Sequence, residues 1–248
     1  VRSRGLGDVY KRQPVDYPWM ETRGTNVNAI WGYIADGLFT SQDEIDDHAK
    51  QFGTVHVGDI KYRDLNDDGV IDDYDKTVIG RGDVPRIYYG FGADLQVGNF
   101  SFSALFQGNA QADRYLDGIS IKPFWDDEGR DNVFANITDR WSADNPTNQD
   151  VFYPRLSVGS DGNNNNVKPS SWWVKDVSFL RLKQVNISYT LPKKWTDPLL
   201  IKNAQIYLMG TNLLTFSKFK LWDPELNTSN GTAYPNVSSY SIGLKFNF

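Results

Sequence analysis

The stretch DLNDDGVIDDYD (64–75) has the sharpest chemical spacing in the chain. Asp64, Asn66 and Asp68 stand at positions one, three and five of a calcium loop, and Gly69 stands at six, where the backbone turns sharply. Val70 offers its carbonyl at seven, Ile71 is an apolar anchor, Asp72 falls at nine and Asp75 at twelve. Alternate residues of so tight a loop turn their oxygens inward, which gives a hard cation about six of them. Aspartate at the last position is shorter than the glutamate of an EF-hand and weakens the site. The competing reading is a solvated, metal-free Asp/Asn/Gly turn. The flanks do not supply the two helices of a sensor: KYR before the loop is short, and KTVIGRG after it is β-branched and broken by glycine. The expectation is a structural calcium ion that pins a long loop.

Other chemistry is sparse. Only His48 and His56 occur, outside any metal-binding His motif, and cysteine is absent, which removes disulfides, thiolate ligands and cysteine nucleophiles. No GxSxG elbow is present, and GRGDVP (80–85) lacks the third glycine and following helix of a phosphate-binding turn. WDDEG (125–129) could supply one carboxylate pair for glycoside hydrolysis, but acidic and Trp residues cluster on loops for many reasons. The chain reads as a non-enzyme. Trp125, Tyr115 and Trp222 are the ligand-binding candidates, able with Trp172 and Trp173 to stack on sugar rings; packing or an interfacial girdle accounts for the same residues.

These residues need a scaffold, and the scaffold reads as β. Five segments alternate large apolar with small or polar residues: 87–97, 100–110, 179–191, 203–216 and 238–248, with 28–39 a sixth candidate. In the last, Tyr240, Ile242, Leu244, Phe246 and Phe248 share one face and Ser241, Gly243, Lys245 and Asn247 the other. The third slips near Gln184, as a bulge would. Each matches the roughly 9–11 residues that cross a bilayer at a tilt. Connections alternate: Gly98 and Asn99 alone join 97 to 100, and eleven residues join 191 to 203, whereas 68 and 21 residues fill the other two gaps. An up-and-down membrane barrel puts short turns at one end and long loops at the other. Within the long loops, 131–141 reads as a short helix and VGSDGNNNN (158–166) as flexible.

Bulk composition agrees. The net charge is −5 and gives no basic footprint for nucleic acid. No run of about 18 apolar residues exists, which excludes a helical membrane protein but not a barrel. The first thirteen residues, VRSRGLGDVYKRQ, are basic and aperiodic; they read as a non-native assembly or adaptor scar and are set aside, which leaves 14–248 to carry the fold. Without them Lys+Arg falls from 26 to 22 and Asp+Glu from 31 to 30, a net −8.

Five strings, WGYIADGLFTSQDEID (31–46), VGDIKYRDLNDDGVIDDYDKTVIG (57–80), FLRLKQVNISYTLPKKW (179–195), GTNLLTFSKFKLWDPE (210–225) and YSIGLKFNF (240–248), resemble the C-terminal third of SusC/RagA-type TonB-dependent outer-membrane transporters of Bacteroidetes. The resemblance implies an all-β chain, the C-terminal part of a large antiparallel transmembrane barrel. About six barrel strands and one or two short loop helices are then expected. Residues 40–86, with the calcium motif, and 111–178 become extracellular loops, and 238–248 the terminal strand. Tyr240, Ile242, Leu244, Phe246 and Phe248 become the signal read by the barrel-assembly machinery. The resemblance further implies import of glycans or other oligomeric nutrients across the outer membrane of a Gram-negative cell, energy from a TonB complex, a SusD-like lipoprotein partner, and contact with outer-membrane lipid. The alternative is a soluble, calcium-binding β-sandwich that binds carbohydrate. The two differ in where the alternating apolar faces go: into a dry interior, or onto one uncovered convex surface.

Overall fold

Alternation of apolar and polar residues becomes strand, and the cross-strand partners decide which strands join one sheet. The structure is a computed structural model that describes residues 15–124, 133–158 and 164–248. Four short strands come first: β1 (Ile30–Gly32), β2 (Ala35–Leu38), β3 (Ile60–Tyr62) and β4 (Thr77–Gly80). The long β5 (Ile87–Val97) and β6 (Phe100–Ala110) follow, then the short β7 (Asp113–Tyr115) and β8 (Val174–Asp176). The long β9 (Phe179–Thr190), β10 (Asn203–Ser217) and β11 (Ser239–Asn247) complete the order. The described residues divide into two compact units, residues 83–114 with 175–248, and residues 15–82 with 115–124, 133–158 and 164–174.

The first of these is one antiparallel sheet in the order β11-β10-β9-β6-β5. Its register places residues of like character in rows across all five strands. Leu95, Phe102, Ile187, Leu208 and Ile242 form one row. Val97, Phe100, Tyr189, Ile206 and Leu244 form the next, toward the two-residue turn. One residue over, Asp94, Ser103, Asn186, Met209 and Ser241 line the opposite face. The slip expected near Gln184 is there: Leu105 pairs with Gln184 but Phe106 with Leu182, so Lys183 is the extra residue. The bulge has a purpose that the register makes plain. It returns Leu182 and Leu180 to the apolar face, opposite Leu214 and Phe216. Gly98, at φ +57, and Asn99 close the β5–β6 hairpin; this turn and the 191–202 link sit at one end of the sheet, both long connections at the other.

The segment 28–39 is not a sixth strand of this sheet. It splits into β1, which pairs with β4, and β2, which pairs with β3. Between them Tyr33 bridges to Ser170 instead. A small local core of buried residues, including Tyr33, Leu38, Phe39, Ile60, Tyr62, Leu116, Tyr153 and Trp173, takes up its apolar side chains. The two segments expected as extracellular loops therefore build a folded unit with an interior of its own.

That interior also corrects the Asn-rich tract. Asn165 and Asn166 are both 3% exposed. Asn166 accepts the Ile60 N–H (2.9 Å) and donates to Asp59 (2.8 Å), while Asn165 donates to the Ile60 carbonyl (2.6 Å). Asp59 in turn takes the Arg155 guanidinium through both oxygens, at 2.8 and 3.1 Å. The two amides serve as the missing ladder partner of Ile60. Asn165 and Asn166 hold fixed places without apolar surface because each amide carries a donor and an acceptor. Residues 159–163 of the tract lie outside the described residues. Of the helix expected over 131–141, the described part forms a single 3-10 turn, Ala135–Thr138.

Candidate functional site

The acidic turn is built from the backbone outward. Gly69 takes φ +85 and Asp67 φ 57, the left-handed conformations that let the chain reverse twice in four residues. The buried Ile71 anchors the turn, whose backbone is clipped to Lys50 by two hydrogen bonds of 2.9 Å. Asp64 accepts the N–H groups of Asp67 and Gly69, both at 2.8 Å. Asn66 donates to Asp68 (2.8 Å), and Asp68 accepts the Val70 N–H (2.9 Å). Asp72 caps the turn Asp73–Asp75, and the fully buried Asp75 accepts from Leu65 (2.7 Å) and Asp72 (2.8 Å). Burial pushes the Asp75 carboxyl up, the nearby Asp64 and Asp72 charges push it the same way, and its backbone N–H donors only partly offset them. The donor types and their order suit a hard cation. Their placement is that of a hydrogen-bonded turn: among the described residues no three His, Asp or Glu side chains converge to hold a metal ion.

The described aromatic candidates are each taken up by local contacts. Tyr115 accepts from Lys122 (2.7 Å), whose buried ammonium also lies over the Tyr115 and Trp173 rings at 4.8 and 5.7 Å. Asp117 (2.7 Å) and the Val167 carbonyl (3.0 Å) complete the cage. Desolvation lowers the Lys122 pKa against the pull of Asp117. Trp172 donates to the Phe152 carbonyl (3.0 Å), and Trp222 packs edge-on against Phe219 at 4.9 Å. These rings hold loops together. Trp125 lies outside the described residues.

The large site is the sheet itself, which has two chemically distinct faces. In the second row from the hairpin turn Leu95, Phe102, Ile187, Leu208 and Ile242 are 60, 41, 44, 52 and 76% exposed. Tyr240, Leu244, Phe246 and Phe248 at the C-terminal strand are exposed as well. Phe91 stacks on Phe106 (5.1 Å) and Phe100 meets Tyr189 (4.6 Å), so the rings tile the surface rather than fill an interior. Among the described residues the other sheets are two-stranded, and none is a second layer of comparable size. The polar face behaves differently. Gln205 donates to Ser188 (2.8 Å), and Thr211 and Ser239 share a hydrogen bond of 2.6 Å. Near the long-loop end Arg181, 1% exposed, is held by Asp223 (2.5 Å), Glu225 (2.7 Å) and the Thr215 hydroxyl (3.0 Å). Sequence reasoning missed this cluster. Its signal was an arginine placed between Leu180 and Leu182, with two acids in WDPE to meet it.

No helix among the described residues is long and apolar enough to cross a membrane, which says nothing of a β-barrel. No family profile matches the chain. Among curated proteins, TonB-dependent receptor P26 of Formosa agariphila is 34% identical over 237 residues, 91% of this chain and 23% of that protein. TonB-dependent receptor P3 of the same organism is 27% identical over 238 residues, 91% of this chain and 22% of that protein. The chain thus spans about a quarter of the length of the relatives it matches. Among solved structures, the RagAB peptide importer in its open-open state matches with a TM-score of 0.64 at 22% identity, over 89% of this chain and 22% of that one. Its closed-closed state gives 0.63 at 21% identity, over 88% of this chain and 23% of that one. The relatives are receptors and importers, not enzymes, as the motifs led one to expect. The strand pattern and the curated relatives agree: the chain is an all-β segment of a TonB-dependent receptor, and it shares the fold of the RagAB structures.

Proposed function

We propose that this segment forms wall of an outer-membrane barrel, in a Bacteroidetes-type envelope, through which a TonB-energised transporter imports glycans or other oligomeric nutrients. One observation carries the reading: a five-stranded face of exposed Leu, Ile, Val and aromatic side chains, backed by a polar face. Soluble proteins seldom leave so large a contiguous apolar surface uncovered. Hydrocarbon covers it without cost, and the polar face then lines a wet lumen. The soluble carbohydrate-binding sandwich would instead bury that face against a second sheet.

A SusD-like lipoprotein is the proposed partner on the long-loop side, and the barrel-assembly machinery is the proposed reader of Tyr240, Ile242, Leu244, Phe246 and Phe248. A structural calcium ion in the 64–75 turn is proposed on residue types and order, with Asp64, Asn66, Asp68, Asp72 and Asp75 as side-chain donors and Val70 through its carbonyl.

The test is electrophoresis of the receptor that contains this chain, extracted from membranes. A folded barrel migrates faster unheated than boiled and needs detergent to stay monodisperse. A protein that is monodisperse in plain buffer, with one mobility throughout, would falsify the membrane reading.

A further inference from the structure

The connection from β9 to β10 turns its apolar side chains outward. A helical turn, Lys193–Thr196, and a 3-10 turn, Asp197–Leu199, make up most of it. Trp195, Leu199 and Leu200 are 56, 66 and 86% exposed, while the polar Thr196 between them is buried. Leu200 also takes φ 58, the left-handed region that bulky L residues rarely adopt and that glycine or asparagine fills at less cost. Its side chain finds no cover within the chain to offset that strain. In water both features are unfavourable, so the turn is suited to contact with something apolar outside the chain.

Position and charge identify that contact. The connection lies at the hairpin-turn end of the sheet, and its helical turn rests against β10. Ala204, on the same face as Ile206 and Leu208, is 1% exposed there, whereas Ile206 and Leu208 are 38 and 52% exposed. The turn therefore leans over the apolar side, next to the exposed Phe246 that pairs with Ala204. Whatever covers the apolar face of the sheet reaches the turn as well. Between Leu191 and Lys202, three lysines stand against one acid, Asp197, in a chain whose net charge is −5. Lys202 is taken up by the Phe248 carbonyl (3.0 Å). Lys193 and Lys194 are exposed, and the Lys194 ammonium lies 5.9 Å from the centre of the Trp195 ring. Leucines at the tip, a tryptophan beside them and ammonium groups next to it are the composition of a segment that lies in a lipid headgroup layer. The ammonium groups favour headgroups of net negative charge.

We propose that the 192–201 connection is a docking surface for anionic glycerophospholipid. Leu199 and Leu200 enter the acyl boundary, Trp195 lies at headgroup depth, and Lys193 and Lys194 meet the lipid phosphates. The proposal rests on the barrel reading and adds to it a lipid preference and the residues that set it.

The test uses the full receptor reconstituted in phosphatidylcholine vesicles. Phosphatidylglycerol or phosphatidylcholine brominated along its acyl chains is added in steps as a fluorescence quencher. The difference in emission between the parent and Trp195→Phe isolates Trp195. Its emission should be half quenched at a lower fraction of the glycerol lipid than of the choline lipid. That preference should fall about fivefold for each of Lys193→Gln and Lys194→Gln. Leu200→Asn keeps a residue that tolerates the left-handed turn, and should lower quenching by both lipids. Trp195 quenched by neither lipid means that the turn meets water or another protein, and overturns the proposal. Equal quenching by the two lipids in the parent overturns it too, as does a preference unchanged in the double Gln variant or quenching unmoved in Leu200→Asn. Heat-modifiable migration is recorded for each protein. If it persists while the lipid preference fails, the docking surface is lost and the barrel reading stands; if the parent lacks it, the barrel reading fails on its own evidence.

Discussion

Val185→Arg separates the two faces of the sheet with one substitution. Val185 pairs with Ala104 on one side and Gly210 on the other, in the third of six apolar rows that run from Val97 to Ile87. Ten residue steps at about 3.3 Å, tilted roughly 40°, give a band about 25 Å tall, the height of a barrel's apolar belt. In the proposed barrel Val185 then sits near the midplane, where arginine on the lipid face costs about 2–4 kcal/mol. Sterics do not confuse the reading, because a groove of about 470 Å3 lined by Leu208, Gly210, Leu213 and Tyr240 lies beside it. Gln184 precedes it in the chain but pairs with Leu105 and Thr211 on the polar face. There Gln184→Arg should change stability by no more than about 0.5 kcal/mol. Reversible urea unfolding of the receptor in lipid vesicles, followed by tryptophan fluorescence, measures both. The ratio of the two unfolding constants should be roughly 12- to 700-fold. Equal costs, or a larger cost at Gln184, would refute the assignment of faces.

Three further outcomes follow from the geometry. Arg181→Met leaves Asp223 and Glu225, whose side chains are 14 and 34% exposed, without the buried cation they share, and should cost about 1–3 kcal/mol in the same unfolding assay; adding Asp223→Asn and Glu225→Gln should restore most of it. Asn166→Leu strands the Ile60 N–H and loosens Asp59, so hydrogen exchange at Ile60 should speed up at least tenfold, while exchange in β9 and β10 stays unchanged. Asp75 titrates above its unfolded value, so the folded state holds its proton longer: the contribution to stability is greatest below the unfolded pKa and is lost as pH rises through the folded one. Protection of the Leu65 amide should therefore fall across the acid range in the parent and stay flatter in Asp75→Asn. Added calcium should raise protection at neutral pH in the parent and leave Asp64→Ala unmoved; a parent indifferent to calcium removes the cation.

Where a strand carries apolar residues on one face and polar ones on the other along its whole length, the pattern is long and unbroken, and it was legible. β5 and β6 occupy the segments marked out by alternation, and the bulge falls at Lys183, one residue from the expected slip. The same alternation misleads over 28–39, because side-chain period reports one buried face and not the length of the partner strand. A small core of Tyr33, Leu38 and Phe39 produces it as readily as a membrane does. Asn165 and Asn166 were hidden for a different reason. Their hydrogen bonds reach Ile60 across more than a hundred residues, and nothing local marks an asparagine as a ladder partner.

The short pair β7–β8 has a consequence for how this chain assembles. β6 and β9 are neighbours in the sheet, yet 68 residues separate them. Closing so long a span costs chain entropy before any ladder bond repays it. Asp113–Tyr115 zipped against Val174–Asp176 shortens the effective span to about ten residues, which lowers the closure cost by about 1.7 kcal/mol. The insertion thus acts as a clasp: once it is fastened, two distant strands meet as if they were consecutive arms of one hairpin.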